Sequence, residues 1–274
     1  MRILYVVDGR SPIALNWINY FVETGHQVHL VSTFRCQPEQ PFASLNVIPV
    51  AFSSAKPGGT TKSASKKKGG IWGASTVRLR TSIRHWLGPV TLPRAARRLR
   101  EVIARIEPDL IHAMRIPYEG MLSALAEPNT PLLISVWGND FTLHAPATPW
   151  MRHYTRLALK HANALHADCQ RDIRLAQTWG FPADRPTTVL PGAGGLQPEI
   201  FYPPATAAET REGTREANAT VINPRGIRAY VRNDTFFRSI PLVLAKRPEV
   251  RFLCPTMANE LSAQRWLDEL SIRE

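Results

Sequence analysis

Three groups of polar residues follow apolar runs of the sequence and could perform chemistry on a ligand. They are Asp8-Gly9-Arg10-Ser11, His112 and Trp137-Gly138-Asn139-Asp140. A histidine can hydrogen-bond a hydroxyl group or transfer a proton near neutral pH. A tryptophan beside amide and carboxylate oxygens offers a stacking plane and hydrogen-bond acceptors, which suit a sugar. These positions are candidates for a ligand site, with His112 and Asp140 as the candidate catalytic residues.

The same residues also have structural interpretations. His112 can be a hydrogen-bonded histidine of the core, Trp137 a packed side chain and Asp140 a helix cap. Asp168 precedes a helical pattern, and we expect it to cap that helix. The residue types alone leave both interpretations open.

The chain around these groups alternates between short apolar runs and helical patterns. Seven runs predict strands, at Arg2–Val7, Gln27–Ser32, Leu45–Val50, Asp109–Ala113, Pro131–Val136, Ala164–Ala167 and Thr187–Leu190. Helical patterns cover 13–22, Thr76–Leu87, Leu92–Ile106, Pro117–Ala126, Pro149–His161 and Gln170–Trp179, and Trp137–Thr148 is predicted as a polar loop. This alternation predicts an α/β fold with a doubly wound parallel sheet of roughly 200 residues.

The last predicted strand points into a glycine-rich segment that contains Gly192, Gly194 and Gly195 and ends at Pro203-Pro204. Such a segment is typical of a chain that leaves one packed layer for another. Residues 205–219 are polar and indicate a linker. Residues 220–274 contain one further strand-helix-strand unit and a helix. The sequence therefore predicts a complete domain over 1–204 and the beginning of a second domain over 220–274.

Cysteine usage and apolar run lengths exclude several classes of protein. Cys36, Cys169 and Cys254 are isolated, which suits a reducing cytosol and argues against a disulfide framework or a zinc site. No apolar run approaches the roughly 20 residues of a membrane span. The loop after the first strand lacks Gly-x-Gly-x-x-Gly, so a nicotinamide or flavin cofactor has no support. We expect a cytoplasmic protein without metal or cofactor.

The net charge of +12 comes almost entirely from one segment. Residues 62–105 contain 12 basic residues and a single acidic one, Glu101. Within them lies part of a low-complexity stretch, 53–75, predicted as a mobile basic loop. With Trp72, Trp86 and Leu87 nearby, the segment could lie against the inner face of an anionic membrane. A solvated surface explains the charge equally well. Nucleic acid is not expected as a partner, because no recognisable binding module is present.

Four segments, taken in order, resemble the family 4 (group 1) glycosyltransferases of the GT-B fold. Ala14–Val31 resembles the family's first helix and second strand, with a Gly-His-x-Val turn, and Pro108–His112 resembles the strand that ends in a histidine. Leu132–Asp140 resembles the strand that usually ends in His-Gly-x-Asp. Ala162–Ala167 followed by Thr187–Pro204 resembles the family's exit from the first domain.

The resemblance implies two Rossmann-like domains, the first complete and holding the acceptor, the second incomplete here and holding a nucleotide-sugar. It implies transfer of a sugar to a saccharide or lipid-linked acceptor with retention of configuration and without metal. Arginine binds phosphate through paired, charge-assisted hydrogen bonds, so Arg225, Gly226 and Arg232 are the expected donor-binding residues. Surface arginines are the alternative interpretation. The acceptor side of the cleft is expected to include the loops already named and the glycines that follow the last strand. Those acceptor-side residues are Asp8, Gly9, Arg10, Ser11, Trp137, Gly138, Asn139, Gly192, Gly194 and Gly195.

Several positions depart from the family pattern. Trp137 stands where a histidine is frequent, and Gly192-Ala193-Gly194-Gly195 replaces Asn-Gly-Val-Asp. The family's Glu-x7-Glu motif lies beyond residue 274; Glu260 and Asp268 have a similar spacing but fall in the wrong helix and are interpreted as solvated surface. We therefore expect the chain alone to be inactive. The alternative is a non-catalytic or split product that binds the acceptor or a partner chain, such as a separate C-terminal fragment.

Overall fold

The computed structural model describes residues 1–53, 81–192, 195, 198, 202, 219–227 and 231–272. They form two compact units, one within residues 1–192 and the other within 219–272. The predicted basic loop after Ser53, the predicted linker before Ala219 and Gly194 lie outside the described residues.

The first unit contains a seven-stranded sheet in the order β3-β2-β1-β4-β5-β6-β7. Its strands are Arg2–Val7 (β1), Gln27–Ser32 (β2), Ser44–Val47 (β3), Leu110–Met114 (β4), Leu132–Val136 (β5), Ala164–Ala167 (β6) and Thr187–Val189 (β7). Every neighbouring pair is parallel. The chain begins at β1, builds outward to β3 and then returns to the other side of β1. The predicted doubly wound parallel sheet is confirmed, and its strand order reverses between β1 and β4.

Helices cover both faces of this sheet. They are Pro12–Glu23 (α1), 81–87 (α2, as far as it is described), Leu92–Ile106 (α3), Met121–Leu125 (α4), Pro149–His161 (α5) and Gln170–Thr178 (α6). Leu4 and Val6 of β1 pack on the face that carries α3 to α6, whereas Tyr5 packs with Ile18 of α1 on the other face. Burial on both faces explains why the strands are nearly continuous apolar runs.

Three predicted elements differ from the structure in their extent. The predicted helix over Pro117–Ala126 begins with a π-helical turn, Ile116–Gly120, before α4. The predicted loop after β5 contains a second π-helical turn, Asp140–His144, because Phe141 is buried and its ring stacks on Trp179. The strand β3 ends at Val47 rather than Val50, since Pro49 has no N–H to donate to a neighbouring strand.

The second unit contains two parallel strands, Thr220–Ile222 (β8) and Arg251–Leu253 (β9), each followed by a helix. The helices are Asn233–Leu244 (α7) and Leu261–Glu269 (α8). Phe237 of α7 packs against Trp266 of α8, with a distance of 5.0 Å between ring centroids. The predicted strand-helix-strand-helix order is confirmed. Across both units, none of the helices in the described ranges combines the length and apolarity needed to cross a bilayer.

Candidate functional site

A polar cleft lies at the carboxyl ends of β1 and β4, where the strand order reverses. Open α/β sheets bind ligands at such a reversal. The cleft has a volume of about 180 Å³ and is lined by Val7, Asp8, Arg10, Ser11, Phe34, Arg84, Met114, Arg115, Pro117, Glu119 and Trp137. We call it the switch-point cleft. The structure thus brings together four residues predicted from the sequence: Asp8, Arg10, Ser11 and Trp137.

The loop after β1 is held in place by its own polar side chains. Ser11 is the N-cap of α1, and its Oγ accepts the Ala14 N–H at 3.3 Å. Arg10 donates from Nε and Nη2 to the two carboxylate oxygens of Asp8, both at 2.9 Å. The Arg10 guanidinium lies 3.6 Å from the centroid of the Phe34 ring. Because Arg10 and Asp8 are bound to each other, the loop presents them to the cleft as a neutral pair.

Gly9 is required by close packing rather than by its dihedral angles. A Cβ at this position would lie 2.5 Å from Cys36 Sγ and 2.9 Å from Ser32 Oγ. Its backbone N–H donates to Ser32 Oγ at 3.0 Å. Gly9 therefore contributes to the site by letting the β1–α1 loop approach the end of β2.

Arg115 follows β4 and has a strained backbone. Its φ of 140° and ψ of 150° lie in a region that is almost confined to glycine. Strained residues of this kind persist where the surrounding contacts hold them, and they cluster at ligand sites. Here the contacts are made by the Arg115 side chain, which lines the cleft and lies 5.8 Å from the centroid of the Trp137 ring.

Asp140 lies behind Arg115 and is fully buried. Its Oδ1 accepts the Arg115 Nε–H at 3.0 Å, and its Oδ2 accepts the backbone N–H groups of Ile116 and Trp137, both at 3.1 Å. Burial raises the pKa of the Asp140 carboxyl, while the Arg115 charge and these hydrogen bonds oppose that rise. Asp140 thus ties the loop after β4 to the loop after β5 and does not line the cleft itself.

Two histidines continue this network away from Asp140. The Arg115 Nη2 group lies 2.8 Å from His144 Nε2, and His144 Nδ1 lies 3.0 Å from His85 Nε2. An arginine can only donate, so His144 Nε2 must accept and its proton is on Nδ1, which donates to His85. Burial, and then the charge of Arg115, lower the pKa of His144 to about 3. Burial also lowers the pKa of His85. Both rings are therefore neutral at neutral pH.

Glu119 is a buried acid on the wall of the cleft. It lies in the π-helical turn after β4, and its Oε1 accepts the Thr33 hydroxyl at 2.6 Å. Burial raises the pKa of Glu119; the hydrogen bond from Thr33 and the charges of Arg115 and Arg84 act in the opposite direction. Among the described residues, a neutral hydroxyl group holds this acid, and no ion pair with it is present.

His112 lies in the middle of β4 and is buried. Its Nε2 is 2.7 Å from Ser135 Oγ, which is 2.9 Å from His166 Nδ1; His166 Nε2 is 2.9 Å from the carbonyl oxygen of Leu190. A carbonyl can only accept, so His166 Nε2 donates to Leu190. Burial, and then His166, lower the pKa of His112 to about 3. The result is a hydrogen-bonded chain that crosses β4, β5 and β6.

The remaining predicted residues of the first unit lie outside the cleft lining. Gly192 donates its N–H to Asp168 Oδ1 at 2.7 Å, and a Cβ on Gly192 would lie 2.7 Å from that oxygen. The expectation that Asp168 caps the following helix is therefore wrong, since Cys169 is the N-cap of α6 and Asp168 holds the exit from β7 instead. Gly195 has a φ of +84°.

Gly138 and Asn139 belong to the loop after β5 and are held by two arginines. The Gly138 carbonyl accepts from Arg171 Nη2 at 3.0 Å. Asn139 Oδ1 accepts from Arg115 Nη2 at 3.4 Å. The loop that carries Trp137 is thus fixed from both sides.

The predicted donor-binding residues lie in the second unit, between β8 and α7. The Arg225 N–H donates to Asn223 Oδ1 at 3.3 Å, and Gly226 has a φ of +67°. Arg232 precedes the first turn of α7, where N–H groups are available to an anion. Its guanidinium binds both oxygens of Asp234, at 3.0 and 2.9 Å, and lowers the pKa of that carboxyl to about 2. Arg232 is exposed, and an incoming phosphate would compete with Asp234 for it.

Five polar or charged residues of this site were not predicted from the sequence: Arg84, His85, Arg115, Glu119 and His144. Arg115 lies two residues after the predicted strand Asp109–Ala113, and that position was the available signal. The other four lie inside helical patterns or a predicted loop, and no local pattern distinguishes them from surface or core residues.

Solved structures identify the fold as the GT-B type. The chain aligns with UDP-GlcNAc 2-epimerase from Neisseria meningitidis bound to UDP-GlcNAc, with a TM-score of 0.53 and 13% identity, over 99% of this chain and 69% of that one. It aligns with Anabaena Alr3699/HepE in complex with UDP, with a TM-score of 0.55 and 15% identity, over 99% and 65%. It also aligns with Os79 from O. sativa in complex with UDP and deoxynivalenol-3-glucoside, with a TM-score of 0.52 and 11% identity, over 97% and 70%.

These lengths show how much of the fold is present. The chain spans 65–70% of the three solved proteins. It contains one complete Rossmann-like domain and a strand-helix-strand-helix part of a second one. The fold alone does not define the reaction, because an epimerase is among these structures.

The family gives the narrower identification. Residues 9–192 match the family described as "Glycosyl transferase 4-like domain", and the chain belongs to that family. The matched residues include every residue of the switch-point cleft except Val7 and Asp8. A search among curated protein sequences finds no significant match.

Proposed function

We propose that the chain forms the acceptor domain and part of the donor domain of a retaining glycosyltransferase. It would transfer a sugar from a nucleotide-sugar to a saccharide or lipid-linked acceptor. The observation that carries this proposal is the switch-point cleft, in which an aromatic plane, a hydroxyl group and guanidinium groups converge within the residues matched by the family. The UDP and UDP-GlcNAc bound to the solved relatives support a nucleotide-sugar as donor.

Each predicted residue has a role in this proposal. Asp8, Arg10, Ser11 and Trp137 contact the acceptor, and Gly9, Gly138 and Asn139 shape the loops around it. His112 and Asp140, the candidate catalytic residues, are buried and do not line the cleft, so in this proposal they act as positioning residues, through Ser135 and Arg115 respectively. Arg225, Gly226 and Arg232 hold the donor phosphates. Gly192 and Gly195 belong to the acceptor-side residues that follow the last strand of the first unit.

The acceptor site can be tested on the purified chain. Saturation-transfer difference NMR with a panel of neutral mono- and oligosaccharides should show binding that is lost in Trp137→Ala. Trp150→Ala is the matched control, because Trp150 is exposed and lies outside the cleft. If no saccharide of the panel gives a signal, or if Trp137→Ala and Trp150→Ala give equal signals, the result would count against the acceptor site.

We further propose that the 274-residue chain has no transferase activity alone. Glu260 and Asp268, whose spacing resembles the family's Glu-x7-Glu, are exposed and lie at the start and near the end of α8. A radiolabelled nucleotide-sugar assay on the chain should therefore show no transfer. A second polypeptide that carries the remaining strands could restore transfer. The anomeric proton coupling of the product should then show that the configuration of the donor sugar is retained.

We also propose that the protein lies at the inner face of a membrane through the basic segment 62–105. In its described part, Ile83, Trp86, Leu87 and Val90 are exposed apolar side chains. Exposed arginines, among them Arg94, follow them on α3. Apolar side chains beside cationic ones favour an anionic lipid surface. The chain should therefore sediment with vesicles that contain phosphatidylglycerol and not with pure phosphatidylcholine, and Trp86→Ser should weaken the binding. Equal binding to both vesicles would refute the contact.

One observation favours a second candidate, a chain that acts by binding a partner polypeptide. The described part of the second unit has only two parallel strands, and Val221, Ile222 and Leu253 on them are 39%, 55% and 50% exposed. Parallel sheets normally have both faces covered. Under this candidate, the chain would form a stable complex with a fragment carrying further parallel strands; size-exclusion chromatography of the two together would detect it.

A further inference from the structure

Three guanidinium groups line the switch-point cleft, and two of them have a carboxylate partner. Arg10 binds Asp8, and Arg115 binds Asp140. The third, Arg84, forms no ion pair with any carboxylate in the described part of the chain. Among the described residues, the positive charge of Arg84 therefore has no carboxylate partner.

The Arg84 side chain is held against two aromatic rings. Its guanidinium carbon lies 5.1 Å from the ring centroid of Phe34 and 5.1 Å from that of Tyr118. Tyr118 also donates its hydroxyl to the Arg84 carbonyl at 2.6 Å, which fixes α2 against the π-helical turn after β4. The Arg84 Nε–H is buried and has no acceptor among the described residues. The ring contacts orient the guanidinium and leave its buried Nε–H without an acceptor among the described residues.

Glu119 is the buried acid that lines the cleft together with Arg84, and its hydrogen bond comes from another residue. It lines the same cleft but accepts its hydrogen bond from Thr33, and burial raises the pKa of its carboxyl. Within the described residues, Glu119 forms no ion pair with Arg84. The positive charge of Arg84 is thus available to an anion that enters from outside.

We propose that Arg84 binds an anionic group of the acceptor, a phosphate or a carboxylate, inside the switch-point cleft. This inference rests on the proposed function and narrows its substrate class. The fork of guanidinium N–H donors matches the paired oxygens of either group. The cleft, at about 180 Å³, has room for one such group together with part of a sugar ring, and Trp137 supplies the stacking plane. A phosphorylated or lipid-diphosphate acceptor and an acceptor with a uronic acid are the two sources of such a group.

The test is isothermal titration of the purified chain at low salt with sodium pyrophosphate, D-glucuronate and D-glucose. At least one of the two anions should bind about tenfold or more tightly than glucose. Pyrophosphate as the tighter ligand identifies a phosphate acceptor, and glucuronate identifies a carboxylate acceptor. Arg84→Gln should reduce the affinity for that anion to the level of glucose. Arg174→Gln is the matched control, because Arg174 is exposed on α6 and lies outside the cleft.

If Arg84→Gln does not fold, the anion affinity of Arg84→Lys provides a second test. Arg84→Lys retains the charge but not the planar fork, and it should lose several-fold in anion affinity while the thermal melting temperature stays near that of the wild type. Unchanged anion affinity in the Arg84 variants, or no preference of the wild type for either anion, would overturn the inference. If neutral saccharides still bind in a Trp137-dependent manner, only this inference fails; if nothing binds, the proposed acceptor site fails with it.

Discussion

The carboxylate of Asp140 joins the two loops beside the switch-point cleft through Arg115. One oxygen accepts the Arg115 Nε–H at 3.0 Å, and the other accepts the backbone N–H groups of Ile116 and Trp137. Asp140 is fully buried, while 29% of the Arg115 side chain is exposed to the cleft. The position of the exposed guanidinium is thus set by a carboxylate that no ligand touches.

Asp140→Asn should destabilise the first unit because it leaves Arg115 without its buried counter-charge. We expect the free energy of unfolding to fall by about 3 kcal/mol, as for other broken buried ion pairs. Urea denaturation followed by tryptophan fluorescence would measure it. The control is Glu107→Gln, which removes an exposed partner of Arg2 at 3.8 Å and should change stability little. Equal stability of the two variants would contradict the role given to Asp140.

The histidine at the other side of Arg115 should make stability depend on pH. Because His144 has a pKa of about 3 in the folded chain and about 6.5 in the unfolded chain, the unfolded chain binds more protons between these pH values. Stability should therefore be complete above pH 6.5 and fall as the pH decreases toward 3. At pH 5 the expected loss from one such histidine is about 2 kcal/mol.

His144→Gln should remove this part of the acid sensitivity, since glutamine can accept from Arg115 without titrating. The free energy of unfolding at pH 7.5 and at pH 5 should differ less in His144→Gln than in the wild type. His153→Gln, at an exposed position on α5, is the control and should behave like the wild type. His112 and His85 also have lowered pKa values and will retain part of the pH dependence in both variants.

The fold could be predicted from the sequence because local patterns of apolar residues specify its strands and helices. Short apolar runs alternate with helical patterns, so the parallel sheet and the order of its elements could be predicted. Asp8, Arg10, Ser11 and Trp137 could be placed at the cleft because they lie in loops that directly follow strands, and the carboxyl ends of parallel strands meet at one edge.

The other cleft residues could not be predicted, because tertiary packing brings them there. Glu119 contacts Thr33 across 86 positions of the chain, and His85 contacts His144 across 59. The burial of Asp140 depends on the π-helical turn that Phe141 anchors, and nothing in the sequence distinguishes that turn from a loop. Residue type thus indicated a functional site, whereas burial decided which residues can touch a ligand.

Gly9→Ala should destabilise the β1–α1 loop through a direct clash. The added methyl group would lie 2.5 Å from Cys36 Sγ and 2.9 Å from Ser32 Oγ, so the expected loss is about 1–3 kcal/mol. Gly138→Ala is the matched control in the loop after β5, because its nearest neighbour, an atom of the Arg171 side chain, is 3.9 Å away. Cys36→Ala combined with Gly9→Ala should recover part of the loss. Thermal unfolding of the variants would show whether it does.

Ser135→Ala should break the hydrogen-bonded chain between His112 and His166. The Ser135 hydroxyl lies 2.7 Å from His112 Nε2 and 2.9 Å from His166 Nδ1, so its removal leaves two buried nitrogens unpaired. A buried polar group without a partner costs about 1–3 kcal/mol, and we expect a loss of at least about 2 kcal/mol in the free energy of unfolding. Ser123→Ala is the control: this buried serine donates to a carbonyl, that of Glu119, within its own helical segment, so its loss should be smaller. Equal losses in the two variants would mean that the chain through Ser135 is no more than an ordinary buried hydrogen bond.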